Sequence, residues 1–147
     1  MADTSEVTPI LTLKHLCEAI KNRVDGSWPK DAYPLTGPYL AQLPQNAGAE
    51  GSVWLSYHIV DGHPDDTMND CGEVISVQFD LWTASAGAVS GAEYMGLLWA
   101  LFDDFELELS GDSEETIRAD RTDYSLLPDP DSRGWHAQTD YSFGITR

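Results

Sequence analysis

The chain has 147 residues, and 25 aspartates and glutamates against eight lysines and arginines give a formal net charge of −17. Between Lys30 and Arg118 there is no lysine or arginine, while the same 87 positions hold 16 acidic residues. Nucleic acid is gripped by cations that replace its released counterions, so this span excludes a DNA- or RNA-holding surface, and it repels an anionic membrane as well.

The length predicts one compact domain that buries roughly two thirds of its unfolded surface. Five tryptophans and six tyrosines supply a core, which argues against disorder despite the charge. Cys17 and Cys71 are too few for a disulfide framework and no charged-then-apolar leader precedes them, so a cytoplasmic origin is expected. The longest apolar run, around Met95 to Phe102, is far shorter than the ~20 residues of a membrane span.

Residues 1–7 read as a polar lead-in. Leu13, Leu16, Cys17, Ile20 and Val24 then recur at helical spacing opposite Lys14, Glu18, Lys21 and Asn22, which predicts an amphipathic helix started at Thr8-Pro9 or Thr12 and stopped by Gly26 and Pro29. Residues 28–51 are rich in proline, glycine and small side chains and read as a long functional loop, anchored by Tyr33-Pro34-Leu35 and Tyr39-Leu40. Val53, Leu55, Tyr57 and Ile59 alternate with Trp54, Ser56 and His58 as in a half-buried strand. An acidic loop from Asp61 to Gly72 follows. A second strand places Ile75, Val77, Phe79 and Leu81 on one face and Ser76, Gln78, Asp80 and Trp82 on the other, so the pair reads as an antiparallel hairpin.

Ser90 and Glu93 have capping-box spacing, and Tyr94, Leu97, Leu98, Leu101 and Phe105 form the apolar stripe of a second helix. Met95, Trp99 and Phe102 form a further stripe, about 80–140° around the axis at ~100° per residue. That stripe calls for another partner. Thr116–Thr122 reads as a strand, Pro128–Gly134 breaks structure, and Trp135 to Ile145 alternates as a final long strand. One apolar face on each strand and helix predicts an α+β domain: an antiparallel or mixed sheet of four to five strands with both helices on one face.

The acidic loop contains Asp61, His63, Asp65, Asp66, Asp70 and Cys71, all metal-ligand types, yet matches no calcium-loop or zinc spacing, and a solvated hairpin loop explains it. His58 and His136 with Asp80 or Asp140 between them suit an acid–base pair, but outward polar alternation accounts for the same positions. No nucleophile carries an elbow or an orienting partner. Cys17 on a helical apolar stripe reads as a buried free thiol. Trp54, Trp82, Met95, Trp99 and Phe102 are either contact surfaces or the second side of a monomer core.

The order of segments, the strand Val74 to Trp82, the capped helix Gly91 to Phe105 and the ending Asp129-Pro-Asp-Ser-Arg-Gly-Trp-His-Ala137 resemble the tail-completion or tail-terminator proteins of long-tailed bacteriophages, over about residues 10–145. The resemblance implies a structural virion protein without catalysis, cofactor or metal. It implies a homo-oligomeric ring, typically a hexamer, assembled in the host cytoplasm. The ring caps the head-proximal end of the tail tube and joins the tube protein to the head connector, and DNA passes through it unheld. On this reading Asp61, Asp65, Asp66, Asp70 and Glu73 line an acidic lumen, where repulsion keeps the path free. Trp54, Trp82, Met95, Trp99, Phe102, Tyr33 and Tyr39 would make subunit or neighbour contacts.

Three alternatives stay open. One is another phage neck or minor tail protein. A second, of a different class, is a small enzyme or ligand-binding protein using a pocket near His58 and His136. The third concerns only the charge: an aspartate-rich, lysine-poor chain also arises from a saline or high-GC source.

Overall fold

The structure is a computed structural model that describes residues 7–40, 53–64, 72–83, 88–103, 106–108, 116–128 and 134–146. Its elements are α1 (Thr12–Ser27), β1 (Thr36–Leu40), β2 (Val53–Pro64), β3 (Gly72–Thr83), α2 (Ala88–Phe102), β4 (Glu106–Glu108), β5 (Thr116–Pro128) and β6 (Trp135–Thr146). One six-stranded sheet runs in the order β1-β2-β3-β6-β5-β4. β1 is parallel to β2 and every other neighbouring pair is antiparallel. The mixed α+β sheet is therefore as expected, but two short edge strands enlarge it. β1 lies inside the stretch read as loop, and β4, at three residues, is too short to show a period of two.

β3 sits between β2 and β6, paired along its whole length from Gly72 opposite Thr146 to Thr83 opposite Trp135. Alternation does the sorting. Ile75, Val77, Phe79 and Leu81 face the helices and are at most 2% exposed, joined by Trp135, Ala137, Tyr141, Phe143 and Ile145 of β6. Phe79 is the hub, with ring centroids 5.0 Å from Phe102, 5.8 Å from Tyr141 and 5.9 Å from Tyr57. Such ring pairs add about 0.5–1.5 kcal/mol each beyond the area they bury.

α1 buries Thr12, Leu16, Ala19, Ile20 and Val24. Leu13, assigned to that face by spacing, is instead 51% exposed, because Thr12, one turn before Leu16, takes the inward position at this end of the helix. The helix runs through Gly26 and stops at Trp28, which turns extended ahead of Pro29, as the ring of a following proline demands. The indole of Trp28 is 5% exposed and donates to the Tyr33 carbonyl at 2.8 Å.

α2 begins at Ala88, so Ser90 lies within its first turn and no capping box forms there. Glu93 accepts instead from the Tyr33 hydroxyl at 2.7 Å. Gly91 is where the helix presses closest to the sheet: a Cβ there would stand 2.8 Å from Trp135 and 2.9 Å from Leu126. Gly37, at φ 118°, is likewise required, since a side chain would overlap the Leu55 carbonyl of β2.

Candidate functional site

The two stripes read on α2 are one broad buried face. Tyr94, Met95, Leu98, Leu101 and Phe102 are all at most 7% exposed. Met95 and Phe102 therefore fill the subunit core and are corrected from contact residues to core residues. The physical reason is breadth: α2 lies over β3, β5 and β6 with α1 alongside, so more than half its circumference leaves water. Only Leu97 and Trp99 flank that face as half-buried residues.

Trp99 organises a cluster that its stripe did not foretell. Its indole donates to the Thr139 hydroxyl at 3.2 Å, the Arg121 guanidinium lies 3.7 Å from the ring centroid, and Tyr124 meets it edge-on at 4.9 Å. Arg121 also reaches Asp103 at 3.5 Å, and Asp103 accepts from the Tyr141 hydroxyl at 2.5 Å. A register shift between Arg121 and Asp123 turns Tyr124 to the helix side. No hydrophobic spacing announces a bulge of this kind.

The opposite, helix-free face of the sheet carries the titratable residues. Register places Trp54, Trp82 and His136 in one cross-strand row, and His58, Gln78 and Asp140 in another. Asp80 sits between the rows and is 6% exposed. Its carboxylate is 2.8 Å from His136 Nε2 and 3.9 Å from His58 Nδ1, and Gln78 donates to both of its oxygens at 3.2 Å. His136 stacks flat on Trp82, with centroids 3.6 Å apart and planes 5° from parallel. The imidazole is thus held on its nitrogen and on its ring face.

Trp54 was expected to point outward, and it is on the outer face, but at 6% exposure it is buried. Tyr39 covers it, 5.9 Å away and 25° from parallel, because β1 lies alongside β2. Among the described residues its indole nitrogen has no hydrogen-bond partner, and neither does one buried oxygen of Asp140. Burial pushes the Asp140 carboxyl above the usual carboxylate range; a hydrogen bond from Gln138 opposes the rise, and Asp123 and Asp80 add to it. Trp82 is half-buried, and Tyr33 and Tyr39 are half-buried staples of the 28–40 segment. Tyr33 packs edge-on against Tyr94, whose hydroxyl donates to the Pro34 carbonyl.

Cys17 is half-buried, and burial pushes its thiol up, away from the reactive thiolate. Among the described residues no group of three metal-ligand side chains converges. Asp61 and Glu73 stand at the hairpin end of the β2–β3 ladder, beside a cavity under the start of α1. Asp65, Asp66 and Asp70 lie outside the described residues.

No family profile and no curated protein matches the sequence. The fold, however, superposes with a TM-score of 0.64 on a chain of the virion of a native gene transfer agent particle, at 13% identity, covering 94% of this chain and 98% of that one. The two chains share one fold over nearly their whole lengths. A sheath/tube terminator of the PVC extracellular contractile injection system, in its extended state, is similar at a TM-score of 0.49 and 11% identity. That alignment covers 95% of this chain and 58% of the terminator chain.

Proposed function

We propose that the chain is a structural virion protein that caps the head-proximal end of a tail tube as an oligomeric ring, in the first instance a hexamer, and joins it to the head connector. The observation that carries this reading is the end-to-end likeness in fold to a chain of a gene transfer agent virion. The basic-free middle of the sequence supports a DNA path through the ring that attracts nothing. On this reading the tip of the β2–β3 hairpin, with Asp65, Asp66 and Asp70, faces the lumen, while Trp82, Trp99, Tyr33 and Tyr39 lie near contacts with neighbouring subunits.

The test is removal of the gene from a producing cell followed by electron microscopy of the particles. Expected are filled heads separate from tail tubes of irregular length. Normal joined particles would overturn the reading. Replacing Asp65, Asp66 and Asp70 by lysine should slow DNA ejection while rings still assemble, and unchanged ejection would remove the lumen assignment alone.

A second reading, a ligand-binding protein or enzyme, has one observation in its favour: the buried Asp80 carboxylate held beside two imidazoles on the helix-free sheet face. It predicts a strict monomer in light scattering, where the ring reading predicts a closed oligomer.

A further inference from the structure

We propose that the cavity where the first turn of α1 meets the hairpin end of the β2–β3 ladder is a docking pocket for an apolar peptide segment that carries a lysine or arginine and belongs to a different protein. The cavity measures about 410 Å³, and Ile10, Leu13, Ile59 and Ile75 supply apolar wall. Asp61 and Glu73 add carboxylates to the same lining. The pocket lies within one subunit, so it stands whether or not a ring forms.

Several independent features converge on it. Ile10 and Leu13, two side chains of the wall, are 77% and 51% exposed, so large apolar surface stands open to water at the cavity's edge. Thr12 in the wall is 4% exposed, yet its hydroxyl has no hydrogen-bond partner among the described residues. A buried hydroxyl left unpaired is unfavourable, and a peptide group entering the cavity would satisfy it. The first turn of α1 also lacks a side-chain cap, with Leu11 at the capping position. Its amide N–H groups therefore suit a peptide carbonyl.

The charges decide what enters. Two carboxylates beside an apolar wall favour a segment in which a cation adjoins leucine-like side chains. A second copy of this chain fits poorly. Among the described residues, Lys14, Lys21 and Lys30 are paired with Glu18 or Asp25, Arg118 with Asp120 and Arg121 with Asp103. Arg23 donates to the Leu101 carbonyl and to Ser27. A copy would thus bring its net charge of −17 to a rim that is already acidic.

The experiment titrates the isotopically labelled full chain with an acetylated, amidated hexapeptide in which two leucines flank an arginine, and with its twin carrying glutamate for arginine. Expected are saturable amide shifts at Leu13, Ile59, Gly62 and Ile75, with the arginine peptide binding about tenfold tighter than its twin. Leu13→Asp, at an exposed position that leaves folding intact, should weaken binding about tenfold or more. The Asp61→Asn, Glu73→Gln double variant should erase the preference for arginine. The proposal falls if neither peptide saturates, if both bind equally, or if binding is unchanged in both variants. It falls equally if Leu13→Asp dissolves an oligomer in light scattering, which would seat a second copy in the groove.

Discussion

The two faces of the sheet share the same strands and differ in almost everything else. On β3 the residues turned to the helices, from Ile75 to Leu81, are at most 2% exposed and wholly apolar, whereas the alternate positions Ser76, Gln78 and Trp82 are half-buried around a carboxylate that is 6% exposed. The helix side is held by removal of apolar surface from water, a term that scales with area and tolerates many arrangements. The other side is held by pairing. Asp80 can stay buried because His136 and Gln78 satisfy it, and burying a carboxylate without such partners is strongly unfavourable. The contrast separates what makes the subunit fold from what is open to specialise, and it directs the search for contacts to the helix-free face and the rims.

The largest expected effect probes the helix side. Phe79→Ala removes the hub of the ring cluster and should lower unfolding free energy by about 3–5 kcal/mol, while Ser142→Ala on the same ladder's outer face should change it by less than about 0.5 kcal/mol. Urea denaturation of the two variants checks this. Comparable losses would mean that the outer face is as much a core as the inner one.

A smaller effect is expected from Asp80→Ala, which leaves His136 and Gln78 without their acceptor. The expected loss is about 1–3 kcal/mol, with the Trp82 fluorescence shifting as its stacked imidazole is released. A neutral result would show that the polar cluster holds nothing in place.

The smallest effect concerns pH. The Asp140 carboxyl is raised by burial, so its contribution to stability is fully present below the unfolded-state value and is lost as pH rises through the higher folded-state value. Asp140→Asn should therefore raise the Tm by ~1–3 °C at neutral pH. That gain should vanish in acid, where the native carboxyl is itself protonated. A gain that persists unchanged at low pH would contradict the burial of this group.

Legibility followed the strength of the periodic signal. β6 alternates without interruption from Trp135 to Ile145 and β3 from Ile75 to Trp82, so the residues on each of their faces could be read directly, whereas their pairing with each other could not. The acid–base neighbours His58, Asp80 and His136 were also legible as candidates, because outward polar positions on adjacent strands meet across a ladder. Leu13 and the split of α2 into two stripes were misread, since helical spacing gives the width of an apolar face only when the number of packing neighbours is known. Tyr124 escaped notice because the bulge after Arg121 reverses the side to which later residues point, and Arg121 because a charged side chain at an inward strand position carries no apolar signal. β1 was hidden in a proline- and glycine-rich stretch whose strand character comes from its neighbour β2.

From the sequence alone came the α+β class, the alternation that places one apolar face on each long strand, and the absence of cations between Lys30 and Arg118. These are local or compositional properties, carried by residue order itself. The tertiary structure alone decided that Met95 and Phe102 belong to the core, that Trp54 is covered by Tyr39, and that a cavity opens beneath Thr12. Burial at those sites depends on which elements arrive from elsewhere in the chain, and no local pattern encodes that arrival.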